Sequence, residues 1–208
     1  ETFMGIDPAT QPIPVRPAVH CTMGGIMTDN KCETSLKGMY AIGECSSVGI
    51  HGANRLGSNS LTELLVFGKQ AGDGAADTAR SVLPPCSSDT LMKQAKAVQQ
   101  RVLTFKTKTG TERIAQIRKE MVQSMEDGCG IYRMHDSMQA TCDKLAELRE
   151  RFANIELDDK SNLWNTEWLS AIELDYQLDV AKTIVHSAIN RKESRGAHQR
   201  LDGYEQRD

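Results

Sequence analysis

The run His51-Gly52-Ala53-Asn54-Arg55-Leu56-Gly57-Ser58-Asn59-Ser60-Leu61 gathers glycines, amides, hydroxyls and one guanidinium directly ahead of a segment with helical periodicity. A helix start presents unpaired N–H groups and a partial positive charge. Glycines ahead of it let a ligand approach the backbone closely. Together they suit an anion, or a ligand that becomes anionic during reaction. Arg55 is the only arginine between Arg16 and Arg80, and its planar fork can grip a carboxylate or phosphate with two parallel hydrogen bonds. The competing reading is a plain glycine-rich connection carrying a solvated arginine. The spacing is not that of a phosphate-binding loop of the G-x-x-x-x-G-K-[ST] type, and no strand is followed by G-x-G-x-x-G.

Two further residues flank this loop. Glu44 directly follows the apolar run Met39-Tyr40-Ala41-Ile42-Gly43, where a carboxylate at a strand's end can accept sugar hydroxyls or cap the next loop. His20 precedes Met23-Gly24-Gly25, and a histidine there is a structural or a functional group. The six cysteines (21, 32, 45, 86, 129, 142) form no C-x-x-C pair and have no histidine at zinc-finger spacing. They read as reduced thiols of a cytosolic protein, and no metal site is expected.

The elements that must position these groups change character near residue 85. All six prolines and 11 of the 16 glycines lie in the first 85 residues. Both residue types interrupt long helices. The spacing therefore predicts turns, short strands and a tight loop over 1–85, long helices over 86–208, and a joint at Pro84-Pro85 with Ser87-Ser88. In the front part Gly25–Asp29 reads as a short strand, Met39–Gly43 as a buried strand and Ser60 to about Ala79 as a helix. Leu61, Leu64, Leu65 and Gly68 form that helix's apolar stripe, and Ser58, Asn59 or Ser60 is its cap. The rear part carries four stripes: Leu91, Ala95, Val98, Val102, Phe105; Ile114, Ile117, Met121, Met125, preceded by Gly110-Thr111 as stop and cap; Met138, Cys142, Leu145, Leu148, Phe152; and Leu169, Ile172, Tyr176, Val180, Ile184. Each stripe is one helix face, and together they predict a small antiparallel bundle with these residues as its core. The fold class expected is α+β.

Composition narrows the function. Against 25 Lys and Arg stand 28 Asp and Glu, so the formal net charge of −3 argues against a protein that coats nucleic acid. No apolar run is long enough to span a bilayer. The opening Glu1-Thr2-Phe3-Met4 lacks the basic and then apolar character of a secretion leader.

Three separated motifs in order carry a resemblance over essentially the whole chain. Arg16-Pro17-Ala18-Val19-His20-Cys21-Thr22-Met23-Gly24-Gly25 resembles the substrate-histidine segment of the flavoprotein subunits of fumarate reductases and succinate dehydrogenases. Gly43-Glu44-Cys45-Ser46-Ser47-Val48-Gly49 with His51 to Leu61 is similar to their flavin- and dicarboxylate-binding loop. Lys192-Glu193-Ser194-Arg195-Gly196-Ala197-His198 is similar to their tail motif. The wording Glu-Cys-Ser-Ser and Gly-Ser-Asn-Ser-Leu is most like the bacterial fumarate reductases. The resemblance implies the later part of an FAD-dependent subunit: the closing portion of an FAD-binding α/β domain (1–85) followed by a helical domain (86–208). The nucleotide fingerprint, the histidine that bonds FAD and the proton-donating arginine of a capping domain would precede it, so no catalytic proton donor is expected within the chain and the piece alone is expected to be inactive.

By the same resemblance His20 and Arg55 bind fumarate or succinate. Glu44, Arg55, Ser60 and Leu61 hold the FAD, Glu44 through sugar or ribitol hydroxyls and Ser60 and Leu61 through backbone N–H groups. The implied partners are an iron–sulfur subunit and membrane anchor subunits of an anaerobic respiratory complex, on the cytoplasmic face of the bacterial inner membrane. Two alternatives stand beside this: an L-aspartate oxidase-like flavoenzyme, which shares the central loop, and a helical module that docks an electron-transfer partner.

Overall fold

The computed structural model describes residues 4–15, 20–81 and 87–206. The Pro84-Pro85 joint, and Arg16 to Val19 of the first motif, lie outside them. The front part is mostly irregular, with β1 (Ile26–Met27) paired in parallel to β2 (Ser46–Ser47), Ile26 opposite Ser46. The expected buried strand over Met39–Gly43 is instead a single bridge from Tyr40 to Glu33, followed by a 3-10 turn, Gly43–Cys45. Apolar character there reflects Ala41, which is buried, whereas Met39 is exposed. Gly43 stands at φ +70°, outside the range a strand can use.

Helix α1 (Asn59–Ser81) starts one residue ahead of the expected position. The Ser58 carbonyl receives the amides of Leu61 (3.2 Å) and Thr62 (3.3 Å). Its stripe does not face this chain's interior: Leu61 and Leu65 are 67% and 78% exposed, and the buried residues of the helix are Glu63 and Ala71. The front part has little apolar matter to cover the stripe, since its buried hydrophobic residues among those described are Cys32, Ala41 and Ala71.

The core belongs to the rear part and runs from Phe105 to Ala188. It is built from α2 (Ser88–Thr107), α3 (Ile114–Cys129), α4 (His135–Phe152) and α5 (Thr166–Asn190). Directions follow from the cross-links. Thr141 donates to the Ser124 carbonyl and Arg151 pairs with Glu120, so α3 and α4 run oppositely. Arg149 of α4 pairs with Asp175 and Asp179 of α5. Arg101 donates to Tyr176 Oη and the Trp168 indole donates to the Val102 carbonyl, so α2 and α5 are also antiparallel. The bundle is as expected, and with the short strands the class is α+β.

Three details depart from the periodicity. The α2 stripe is buried only at Phe105, with Leu91 and Val98 exposed, because α2 meets the bundle through its last turns. The α5 stripe lies only partly on the buried side: Ile172 and Ile184 pack against the core, but Leu169, Tyr176 and Val180 are exposed, and the fully buried residues are Ala171, Leu174, Leu178, Ala181, Val185 and Ala188. This helix carries apolar residues on nearly all sides, interspersed with polar ones, so two faces satisfy a helical period and only packing selects one. Finally, α3 is capped at Arg113 rather than Thr111. The Thr111 hydroxyl accepts from Asn154, and Glu112 bridges to Ile155, so this segment is spent on the α4–α5 connection.

The tail returns to the bundle. β3 (Tyr132–Arg133) pairs in parallel with β4 (Gln199–Arg200). Arg200, 2% exposed, is paired to Asp202 and donates to the Arg191 carbonyl at 2.9 Å, closing the C-terminal end of α5. Among the described residues no helix is long and apolar enough to cross a membrane.

Candidate dicarboxylate and flavin site

Arg55 stands on the loop between β2 and α1, its side chain 6% exposed. Three of its five N–H bonds have acceptors within the chain. Nη2 donates to the Gly43 carbonyl at 3.0 Å, and Nη1 donates to Glu63 Oε2 and, at 3.5 Å, to Ser60 Oγ. The Nε–H and the second Nη2–H have no acceptor among the described residues. Two N–H bonds are what a bidentate grip on a carboxylate requires.

Glu63 lies in the second turn of α1 with a side chain 1% exposed. Its Oε2 also meets His51 Nε2 at 2.7 Å. Burial opposes the charged form of Glu63, but hydrogen bonds from His51 and Arg55, and the charges behind them, outweigh it and hold the carboxyl below its ordinary value. An ionised carboxylate only accepts, which assigns the proton to Nε2 of His51. The 3.0 Å approach of Arg55 Nη1 to that nitrogen is therefore two donors converging on one oxygen. Glu63 Oε1 is buried and unpartnered among the described residues.

Local structure explains how the loop reaches this geometry. Gly43 at φ +70° turns its carbonyl toward Arg55, and a Cβ there would run into the Leu64 side chain of α1. The tail supports the loop from the other side. Gly196, at φ +60°, packs so closely that a Cβ would stand 2.6 Å from the Ala53 carbonyl oxygen. Next to it Arg195 holds Glu193 with two 2.9 Å hydrogen bonds, and the Arg195 and His198 backbones bond to each other. His198 accepts at Nδ1 from Arg133 (2.8 Å); burial first, then the nearby arginines, hold its pKa down.

The expected site residues are thus partly assembled. Arg55 and Ser60 meet directly. The Ser60 N–H, at the second residue of α1, has no acceptor among the described residues, whereas the Leu61 N–H is engaged by Ser58. Glu44 is exposed on the 3-10 turn, one residue from Cys45 and two from β2, with no side-chain hydrogen bond among the described residues. His20 is exposed and makes no contact with Arg55 there; it is six residues ahead of Ile26, which the β1–β2 pairing fixes beside Ser46. Reading by motif passed over Glu63 and gave His51 no role. The available signal was an acidic residue directly ahead of the apolar run Leu64-Leu65-Val66-Phe67, eight residues past the loop's only arginine.

Residues 1–61 match a family model described as an FAD binding domain, and residues 118–208 match one described as the fumarate reductase flavoprotein C-terminal region. The fumarate reductase flavoprotein subunit of a Serratia species is 58% identical over 203 residues, covering 97% of this chain and 34% of that protein. That of Proteus vulgaris is 53% identical, again over 97% of this chain and 34% of the relative. A solved E. coli quinol fumarate reductase structure superimposes with a TM-score of 0.92 at 54% identity, over 99% of this chain and 35% of that one. The chain spans about a third of the length of these relatives. A buried arginine at a helix start, held on a glycine-bearing loop and backed by a returning tail, therefore sits within a sequence that is similar, over nearly its whole length, to fumarate reductase flavoprotein subunits.

Proposed function

We propose that this chain supplies the dicarboxylate grip and part of the FAD site of a flavoprotein subunit that interconverts fumarate and succinate. In this reading 1–85 close the FAD-binding domain and 86–208 form a helical domain. The observation that carries it is the state of Arg55: buried, held from three sides, with two N–H bonds left for an anion. Those bonds would take one carboxylate of fumarate or succinate, with His20 hydrogen-bonding to the same ligand from its own loop. Holding reactants in near-attack geometry is worth roughly 7–11 kcal/mol in favourable cases.

The residues present fit FAD. Ser60 offers a free amide at a helix start, where the partial positive charge favours a ring edge that gains electron density. Exposed Leu61 and Leu65, one turn apart, offer an apolar surface to a ring system. The free carboxylate of Glu44 suits sugar or ribitol hydroxyls. When bound, FAD supplies hydride exchange with the dicarboxylate. The chain's own part is to orient the acid, polarise it through Arg55 and His20, and stabilise negative charge through the start of α1.

The same reading makes the chain part of a membrane-associated respiratory complex, bound through an iron–sulfur subunit and membrane anchors at the cytoplasmic face of the bacterial inner membrane. The test is Arg55→Lys in the flavoprotein subunit. Lysine replaces a two-bond fork with a point charge, and loss of a charge-assisted hydrogen bond of about 1.5–3 kcal/mol corresponds to about 10–150-fold weaker dicarboxylate binding. Wild-type affinity for fumarate in that variant would remove Arg55 from the site.

A further inference from the structure

We infer that Glu63 is a positioning residue for Arg55: its buried carboxylate fixes the guanidinium so that Nε–H and one Nη2–H are reserved for the dicarboxylate. This rests on the reading of Arg55 as the dicarboxylate-binding group, and deepens it.

An arginine has five N–H bonds and several rotatable bonds, so without fixed acceptors it presents no particular edge. Here the choice is made by three acceptors on two elements. Glu63 Oε2 and Ser60 Oγ, both on α1, take the Nη1 hydrogens, and the Gly43 carbonyl takes one from Nη2. Of these, Glu63 alone is charged, so its hydrogen bond is the strong one. Its own orientation is set by His51, whose Nε2–H reaches the same oxygen at 2.7 Å. The arrangement also explains a charged residue 2% exposed on a helix whose neighbouring leucines are exposed. A buried carboxylate is retained where its partners are in place. Glu63 is carried by the same helix whose Ser60 amide is assigned to the flavin, so the orientation of the guanidinium is tied to the start of α1 as well as to the loop.

A purely structural ion pair would hold the loop down without acting through Arg55, and a double-mutant cycle separates the two. In the flavoprotein subunit with its FAD, wild type, Glu63→Gln, Arg55→Lys and the double variant are compared. The readouts are the Kd for malonate, a dicarboxylate that cannot be reduced, and the KM and kcat for fumarate; flavin content and melting temperature serve as controls. Glutamine keeps the shape and removes the charge. The expected result is malonate binding weakened by about tenfold in Glu63→Gln, and by less than about threefold when the same change is made in the Arg55→Lys background, since coupled residues are non-additive. The KM for fumarate should rise with the malonate Kd.

An effect under about threefold in Glu63→Gln, or one of the same size in both backgrounds, overturns the inference. If Glu63→Gln does not retain flavin, Glu63→Asp takes its place under the same criteria; if neither variant retains flavin, Glu63 serves folding and the inference fails. Failure of the underlying reading looks different: Arg55→Lys itself would then bind malonate like wild type.

Discussion

Replacing Gly196 with alanine would test whether the tail braces the site loop. Two costs separate cleanly. The first is conformational: at φ +60° an L-residue other than glycine is strained by roughly 1–2 kcal/mol. The second is steric: the new Cβ would stand 2.6 Å from the Ala53 carbonyl oxygen and 2.9 Å from the Ala53 Cβ, so tail and loop must part. Forcing a methyl group into a filled contact typically costs about 1–3 kcal/mol. Gly52 is the matched control, since it has φ +58° and nothing within 4 Å of where a Cβ would be. Gly52→Ala carries only the conformational cost, and the difference between the variants isolates the contact. Urea unfolding of both against wild type should place Gly196→Ala about 1–3 kcal/mol below Gly52→Ala, or some 2–12 °C lower in melting temperature for a chain of this size. Equal destabilisation of the two variants would mean that the tail does not bear on Ala53, and the bracing argument would fall.

Two other outcomes follow from packing and charge. Leu148, fully buried in α4, should cost about 2–5 kcal/mol on truncation to alanine, whereas Leu65→Ala on the exposed face of α1 should stay within about 0.5 kcal/mol in the 208-residue chain; urea midpoints decide it. Glu120 is held well below its ordinary 4.5 by hydrogen bonds first from Arg151, then Lys144 and Gln116. A depressed carboxylate stabilises the fold above its unfolded-state pKa and loses that contribution as pH falls. The melting-temperature gap between wild type and Glu120→Gln should therefore be full at pH 7 and shrink progressively below about pH 4.5; a gap that is flat between pH 7 and 3 would contradict the assignment.

Residue spacing was enough to place α1 to α5, because a helix is a local structure whose apolar period, caps and lack of proline are written within one segment. It was enough, too, to mark the loop around Arg55, since glycines ahead of a helix start are likewise a local pattern. It placed only part of the buried face of α5, Ile172 and Ile184, because that helix carries apolar residues on nearly all sides; Leu174 and Val185 were told from Tyr176 and Val180 only by contact with α3 and α4. Met39–Gly43 looked like a strand because apolar runs do not reveal whether a pairing partner exists. What only the tertiary structure decided is the state of Arg55: which of its hydrogens are taken, that Glu63 and His51 share the burden, and that Gly196 leans on Ala53 from 143 positions along the chain. Such contacts depend on how separate elements meet in space, and no local period in the chain encodes them.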